Sequence, residues 1–192
     1  MKRWTQFGLA CVAAVSIACG DGKRNDTAST PGAAGTEGAA GTAGEAKIDR
    51  DFIQDQLSDG NAELELARLA QERATRPEVK EFAQMMARDH ETAGGELKQI
   101  ANKHNVQMDT GEQKEHNDLR ERLSKLSGAE FDREYMEAMV EEHEEAVNEV
   151  ERQQNADNPE IRQWASKTVP TLRQHLERAQ QIKKNLEQRS EN

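Results

Sequence analysis

The folded part of the chain is marked by a helical pattern of apolar residues that begins near Ile48 and continues almost to the C-terminus. Leu, Ala, Val and Met recur at spacings of three and four between charged residues, with few β-branched runs and few aromatics. This spacing places side chains on one face of an α-helix, whereas a half-buried strand would alternate. The pattern therefore predicts an all-α domain over residues 48–189.

Four long amphipathic segments can be placed by their apolar faces. They cover about residues 51–74, 77–105, 127–154 and 158–186. Pro77 suits the first turn of the second helix, Ser127 and Glu130 match the capping box that starts the third, and Asn158 precedes the fourth. Pro170 lies inside the fourth segment, where we expect it to kink the helix or divide it.

A connection of some twenty residues separates the second and third segments. It contains a weaker helical patch in which His116, Leu119, Leu123 and Leu126 share a face. A connection of that length can run along a bundle, so we predict a ferritin-like antiparallel four-helix bundle made of two helical hairpins joined by a long crossover with a short helix. Gly94 faces the interior of this bundle, where we expect a close approach of another backbone.

Residues 1–18 have the layout of a bacterial signal peptide. Two basic residues follow the first Met, and the uncharged stretch after them is shorter than the roughly 20 residues that a membrane-spanning helix needs. The end of this stretch resembles a lipobox, in which a small residue precedes a cysteine that becomes acylated, here Cys19. Ser16 stands where Leu is usual, so ordinary cleavage after Ala18 is the alternative.

Residues 19–47 have the composition of a disordered tether. From residue 25 to residue 46 the sequence is almost entirely Gly, Ala, Thr and Ser with an occasional acidic residue, and it shows no apolar period. An acyl chain on Cys19 would hold the protein to a membrane through this tether. Gly20 stands in place of the Asp that bacterial sorting treats as an inner-membrane retention signal. The layout predicts a cell-envelope protein and favours an outer membrane lipoprotein facing the periplasm, with a periplasmic or secreted protein as the alternative.

The chain is acidic, and this changes the set of expected partners. Its formal net charge of −10 becomes −12 when Lys2 and Arg3 leave with the signal peptide. Such a surface argues against nucleic acid, because phosphate binding needs basic residues. Cys19 is the only cysteine of the expected mature chain, so an internal disulfide is excluded. The predicted acyl chain on Cys19 makes a membrane the expected partner, and the sequence indicates no particular protein partner.

Two of the predicted helices repeat one pattern: an aromatic residue, a methionine and a histidine, spaced four residues apart on the inward face. The pattern is Phe82, Met86 and His90 in the second helix and Tyr135, Met139 and His143 in the third. Residues four apart lie on successive turns of one side of a helix, so both Met–His pairs point into the same interior. Glu63 and His175 fall within the apolar faces of the first and fourth helices.

Each long helix thus offers the interior a potential metal ligand. Neutral imidazole and thioether favour soft or borderline metals, notably Cu(I), and an added carboxylate suits Cu(II), zinc or iron. The sequence predicts a metal site with copper favoured and zinc and iron left open. The candidate ligands are His90, His143, His175, Met86, Met139 and Glu63. The alternative is a hydrogen-bonded polar core without metal in a structural or stress-related interaction module, because Met fills irregular cores and buried His is commonly hydrogen-bonded.

No catalytic signature accompanies these residues. Di-iron bundles use Glu-x-x-His, but the positions three before the inward histidines are Ala87, Val140 and Leu172. The mature chain has no Gly-rich phosphate loop, G-x-S-x-G elbow or Cys nucleophile, so we expect a binding protein and not an enzyme. His104 and His116 are expected to be exposed and without a special role.

Several stretches between residues 52 and 182 resemble the bacterial envelope family named for domain of unknown function 4142. The matching stretches include VKEFAQMMARDH at 79–90, LSGAEFD at 126–132, YMEAMV at 135–140 and TVPTLRQHL at 168–176. The family pattern has Met before Asp-His in two helices. This chain keeps Met86 with Asp89 and His90 and has Glu142 before His143. The resemblance implies a ferritin-like bundle and an envelope location, and it implies no activity.

Overall fold

A computed structural model of the protein describes residues 49–107 and 114–190. Within those residues it contains helices and no strand: α1 (Arg50–Arg73), α2 (Pro77–Lys103), α3 (Lys114–Ser124), α4 (Gly128–Gln153) and α5 (Pro159–Ser190). The prediction of an all-α fold is confirmed. None of the helices in the described ranges is long and apolar enough to cross a membrane. The predicted signal peptide, the tether and Cys19 lie outside the described residues.

The helices pair as two hairpins. α1 packs along α2 and α4 along α5, while α2 also packs on α5 and α1 touches α4 more lightly. Short connections join the partners within each hairpin, and α3 lies on the crossover, where it contacts α1 and α4. This is the predicted four-helix bundle with a short helix between its second and third long helices.

The interior is divided along the bundle into two apolar clusters. The first cluster contains Phe82 and Tyr135, and the second contains Phe52 and Trp164. α1 and α5 run from the second cluster to the first, whereas α2 and α4 run from the first to the second. Because α2 and α4 run in the same direction, the crossover must return along the bundle, and Leu119 of α3 packs in the first cluster. All four packed pairs of long helices are therefore antiparallel.

The starts of α4 and α5 are formed differently. Asn158 caps α5, because its Oδ1 accepts hydrogen bonds from the backbone N–H of Glu160 at 2.9 Å and of Ile161 at 3.2 Å. The capping box predicted for α4 is wrong, since Ser127 is at the N-cap but its side chain makes no capping hydrogen bond. Gly128 follows with φ of +62°, a left-handed conformation that favours glycine and turns the chain between the two residues of the box.

α5 continues through Pro170 and is not divided there. Proline has no N–H, so the carbonyl of Ser166, one turn earlier, loses its helical hydrogen bond. Both residues are exposed, and water can satisfy that carbonyl. The long helix therefore tolerates the proline.

Asp132 fastens the turn between α1 and α2 to the beginning of α4. Its side chain is fully buried. The carboxylate accepts hydrogen bonds from Thr75 Oγ1 at 2.5 Å, from the N–H of Thr75 at 3.0 Å and from the N–H of Arg76 at 3.1 Å. One side chain thus ties the first hairpin to the second.

The close backbone approach expected at Gly94 is wrong. A Cβ at Gly94 would meet no atom within 4 Å, and the same is true of Gly95. Gly94 instead lies in the wall of a cavity.

Candidate metal centre

A polar layer separates the two apolar clusters, with one residue from each long helix. Glu63 on α1, His90 on α2, His143 on α4 and His175 on α5 each stand, along their own helix, between residues of the first cluster and residues of the second. His143 is 0% exposed, His175 1% and Glu63 7%, while the side chain of His90 is 11% exposed. The fold therefore brings these four predicted residues to one level of the bundle.

The three histidines form a compact cluster. One ligand atom from each ring lies within 4.8 Å of those from the other two. The ring centroids are 5.8 Å apart for His90 and His143, 5.5 Å for His90 and His175, and 5.4 Å for His143 and His175. Three imidazoles at these separations form a group that could hold one metal ion.

Each ring uses one nitrogen in a hydrogen bond to the protein. His90 Nδ1 donates to Glu63 Oε2 at 2.9 Å, His143 Nδ1 donates to the carbonyl oxygen of Met139 at 2.9 Å, and His175 Nε2 donates to Asp89 Oδ2 at 2.9 Å. A carboxylate or carbonyl can only accept, so the proton lies on the imidazole nitrogen in all three bonds. The acceptors therefore fix the orientation of each ring and, when it is neutral, its tautomer.

The other nitrogen of each ring is buried and has no hydrogen-bond partner. These atoms are His90 Nε2, His143 Nε2 and His175 Nδ1. In a neutral ring of the tautomer just described, this nitrogen carries a lone pair. A buried polar atom without a partner costs about 1–3 kcal/mol, so three of them in one cluster point to a ligand that accepts lone pairs.

Glu63 is the charge that balances this cluster. Burial alone would raise the pKa of its carboxyl, but His90, His143 and His175 together lower that pKa to about 2. In return, the Glu63 carboxylate outweighs the burial of His90 and raises its pKa. Burial and the two neighbouring imidazoles lower the pKa of His143 to about 4 against the attraction of Glu63. The metal-free site thus combines an ionised carboxylate with imidazoles of very different basicity.

In the metal-free protein we expect the imidazoles to titrate in separate pH ranges, measurable by ¹⁵N NMR of the rings. His143 should remain neutral until the pH falls to about 4, whereas His90 should keep its proton above pH 6.5. The unfolded chain takes up a proton on this histidine near pH 6.5, whereas the folded protein does so only near pH 4. The free energy of unfolding therefore decreases as the pH falls from 6.5 to about 4. Glu63→Gln should lower the pKa of His90. Protonation of His143 before His90 would contradict this assignment.

The two predicted methionines lie in the first apolar cluster, one turn before His90 and His143. Met86 is 1% exposed and Met139 is 0% exposed. Met139 already serves the site through its carbonyl oxygen, which accepts from His143. Both thioethers are therefore buried beside the polar layer.

Sequence reasoning assigned no role to Asp89, which holds His175 across the interface between α2 and α5. A signal existed in the acidic residue that immediately precedes two of the inward histidines, Asp89 before His90 and Glu142 before His143. The signal was ambiguous, because Asp89 binds His175 and not its own neighbour His90.

The other acidic residue, Glu142, has a perturbed pKa. Burial and then the charge of Glu63 raise this pKa to about 7.

The prediction that His104 and His116 are exposed is wrong, because both are partly buried and paired. His104 Nε2 lies 2.7 Å from Glu160 Oε2, which links the end of α2 to the start of α5. His116 Nε2 lies 3.6 Å from Asp59 Oδ1, which links the crossover helix to α1. Neither belongs to the three-histidine cluster.

The fold and the site together define a class of protein: an all-α bundle whose interior holds a three-histidine cluster with the geometry of a candidate metal site. Within that class, the chain belongs to the family described as domain of unknown function DUF4142, whose model matches residues 34–182. None of the curated proteins matches the chain.

Solved structures with the same fold include one protein in two copper-bound forms. CopM in the Cu(II)-bound form has a TM-score of 0.63 and 22% identity over 73% of this chain and 98% of its own, and the Cu(I)-bound form has 0.62 and 21% over 72% and 97%. A DUF305 fragment from Deinococcus radiodurans has a TM-score of 0.65 and 19% identity over 71% of this chain and 95% of its own. At these identities the likeness establishes the fold.

Proposed function

We propose that this protein is a non-catalytic copper-binding protein of the cell envelope that holds one copper ion through His90, His143 and His175. The observation that carries the proposal is the set of three buried ring nitrogens without partners, one on each histidine of the cluster. A bound ion would pair all three at once. Three histidines from three different helices would then coordinate the same ion.

The chemistry of the donor set favours copper. Imidazole nitrogen suits copper and zinc, and among divalent first-row metals the affinity of a given site is generally highest for Cu(II). Cu(I) would gain from a thioether, which Met86 and Met139 can offer from the adjacent turns. Zinc and iron are the competing ions that the test must include.

Glu63 acts in this proposal as an orienting residue and not as a fourth ligand. Its carboxylate engages Nδ1 of His90, the nitrogen opposite the free Nε2. Asp89 and the carbonyl oxygen of Met139 have the same relation to His175 and His143. Such outer partners fix ring orientation and raise ligand basicity. The negative charge of Glu63 would also offset part of the charge of the ion.

The fold likeness supports copper, because CopM was solved in both Cu(I)-bound and Cu(II)-bound forms. The proposed envelope location rests on the predicted signal peptide of residues 1–18 and on the predicted acylation of Cys19. Mass spectrometry of the mature N-terminus tests that part separately, since an unmodified Cys19 would make the protein soluble in the periplasm or secreted.

The test is a titration of the full-length metal-free protein with Cu(II), Cu(I) and Zn(II) against chelators of known affinity. We expect one equivalent of copper to bind with a dissociation constant well below about 1 μM, and more tightly than zinc. X-ray absorption should find imidazole nitrogens around the ion and would reveal sulfur if Met86 or Met139 contributes. Binding weaker than micromolar, or a site without imidazole ligands, would overturn the proposal.

A second candidate is a structural or stress-related interaction module whose inward polar residues form a hydrogen-bonded core. It is favoured by the bond that each histidine already makes to Glu63, Asp89 or Met139. Under this reading, chelators and copper leave the melting temperature unchanged. A rise in melting temperature with one equivalent of copper would exclude it.

A further inference from the structure

A partly open cavity of about 100 Å³ leads to the polar layer from one side of the bundle, and His90 and His175 form part of its wall. Besides Glu63 and Asp89, four further carboxylates line it: Asp59, Glu142, Glu145 and Glu149. We refer to these four residues as the acidic mouth. Among the described residues that line the cavity there is no lysine and no arginine.

The burial of the carboxylates increases from the solvent toward the interior of the bundle. Glu145 is exposed, Asp59, Glu142 and Glu149 are half-buried, and Glu63 and His175 beyond them are buried. The carboxylates of the lining, with no lysine or arginine among its described residues, give the cavity a negative potential. This potential is strongest above pH 7, because burial first and then the charge of Glu63 raise the pKa of Asp59 to about 7. A cleft lined by one sign of charge concentrates ions of the opposite sign and raises their rate of association.

Gly94 keeps one side of this cavity open. It lies inside α2, although glycine is among the least favourable residues within a helix. Packing does not require it, because a Cβ there would meet no atom within 4 Å. The neighbouring wall is fixed by a hydrogen bond from Trp164 Nε1 to the carbonyl oxygen of Ala93 at 3.0 Å. The missing side chain therefore leaves free space in an otherwise fixed wall beside the histidines.

We propose that this cavity is the entry route of the metal, in which the acidic mouth attracts the ion and Gly94 leaves room for it to reach His90 and His175. The inference rests on the proposed function and deepens it by naming the form of the metal that is taken up. That form is a positively charged hydrated or weakly chelated ion. A negatively charged metal chelate is repelled by the same carboxylates. The route leads to His90 and His175, and each of these residues has a buried ring nitrogen without a partner.

The steric test compares Gly94→Leu with Gly95→Leu. Gly95 is the next residue of α2, it is exposed, and it does not line the cavity. Copper uptake can be followed in a stopped-flow instrument through quenching of Trp164, whose side chain lines the cavity. We expect Gly94→Leu to slow both uptake and release of copper by about tenfold or more, with little change in the dissociation constant, because a blocked route affects both directions equally. Gly95→Leu should match the wild type. Equal rates in all three proteins would overturn the route.

The electrostatic test compares Glu142→Gln/Glu149→Gln with Glu72→Gln/Glu81→Gln. Each pair replaces two carboxyl groups by amides, but Glu72 and Glu81 are exposed and do not line the cavity. The comparison is made at about pH 8, above the pKa of about 7 of Glu142, so that both pairs remove two negative charges. At low ionic strength the first pair should slow association of Cu(II) by about tenfold and flatten its salt dependence, and the control pair should do neither. Identical effects of the two pairs would show a general charge effect and overturn the acidic mouth.

Failure of this inference can be told from failure of the proposed function. If the wild type binds no copper, the proposed function fails before any variant is compared. If the wild type binds copper through imidazoles and the Gly94 and Glu142/Glu149 variants take it up at the wild-type rate, only the entry route fails.

Discussion

Replacing His143 by alanine is expected to weaken copper binding by more than about a hundredfold. This loss of affinity is larger than the loss expected when a residue that only hydrogen-bonds to a metal ligand is replaced. His143 is completely buried, and its ring lies within 6 Å, centroid to centroid, of both His90 and His175. Its removal leaves two imidazoles, which cannot enclose an ion. Chelator competition with the full-length protein measures the change.

The matched control for that prediction is His104→Ala. His104 is also a partly buried histidine paired with a carboxylate, but its partner is Glu160 at the junction of α2 and α5, away from the polar layer. It should retain copper affinity. In the wild type, copper at about 100 times its dissociation constant should add roughly 2.7 kcal/mol to the free energy of unfolding. An equal stabilisation of His143→Ala by copper would contradict the assignment of this residue as a ligand.

Replacing Asp132 by alanine is expected to lower the free energy of unfolding by about 3 kcal/mol. The buried carboxylate accepts hydrogen bonds from three donors. Bonds to a charged group contribute about 1.5–3 kcal/mol each, part of which water at the turn can replace. In a protein of this size, the melting temperature should fall by roughly 6–12 °C. Thermal and denaturant unfolding of the metal-free protein measure both quantities.

Asp118→Ala is the control for Asp132→Ala. Asp118 lies on the exposed side of α3, where its carboxylate pairs with Lys114 one turn away, and such surface pairs contribute little to stability. Asp132 is far along α4 from His143, so Asp132→Ala should keep its copper affinity while losing stability. If both aspartate variants melt at the same temperature, Asp132 does not fasten the hairpins as described.

The helices were predictable because their evidence is local. Apolar residues three and four apart share a face, and this spacing alone placed Glu63, His90, His143 and His175 toward the interior. The failures were at positions where local evidence was incomplete. Ser127 and Glu130 match a capping box in sequence, but the left-handed conformation of Gly128 between them prevents it. Gly94 faces inward as expected, yet it borders a cavity and no backbone.

The site was predictable as a set of residues and not as an arrangement of atoms. The doubled Met–His pattern identified two of the three histidines, and the apolar face of the last helix identified the third. Which nitrogen of each ring is engaged could not be predicted, because it depends on acceptors on other helices. Asp89 and His175 are 86 residues apart, and their 2.9 Å hydrogen bond exists only because α2 packs on α5.

The sequence by itself determined that this protein is an all-α bundle with a crossover and that four polar side chains point into its core, because helical periodicity acts over a few residues. The tertiary structure decided that these side chains share one level, that Glu63 binds the nitrogen of His90 opposite the free one, and that Asp89 serves His175. Those outcomes depend on how far the packed helices are shifted along one another. A shift of one helical turn, about 5.4 Å, would move the three histidines to different levels, and they would no longer form a cluster.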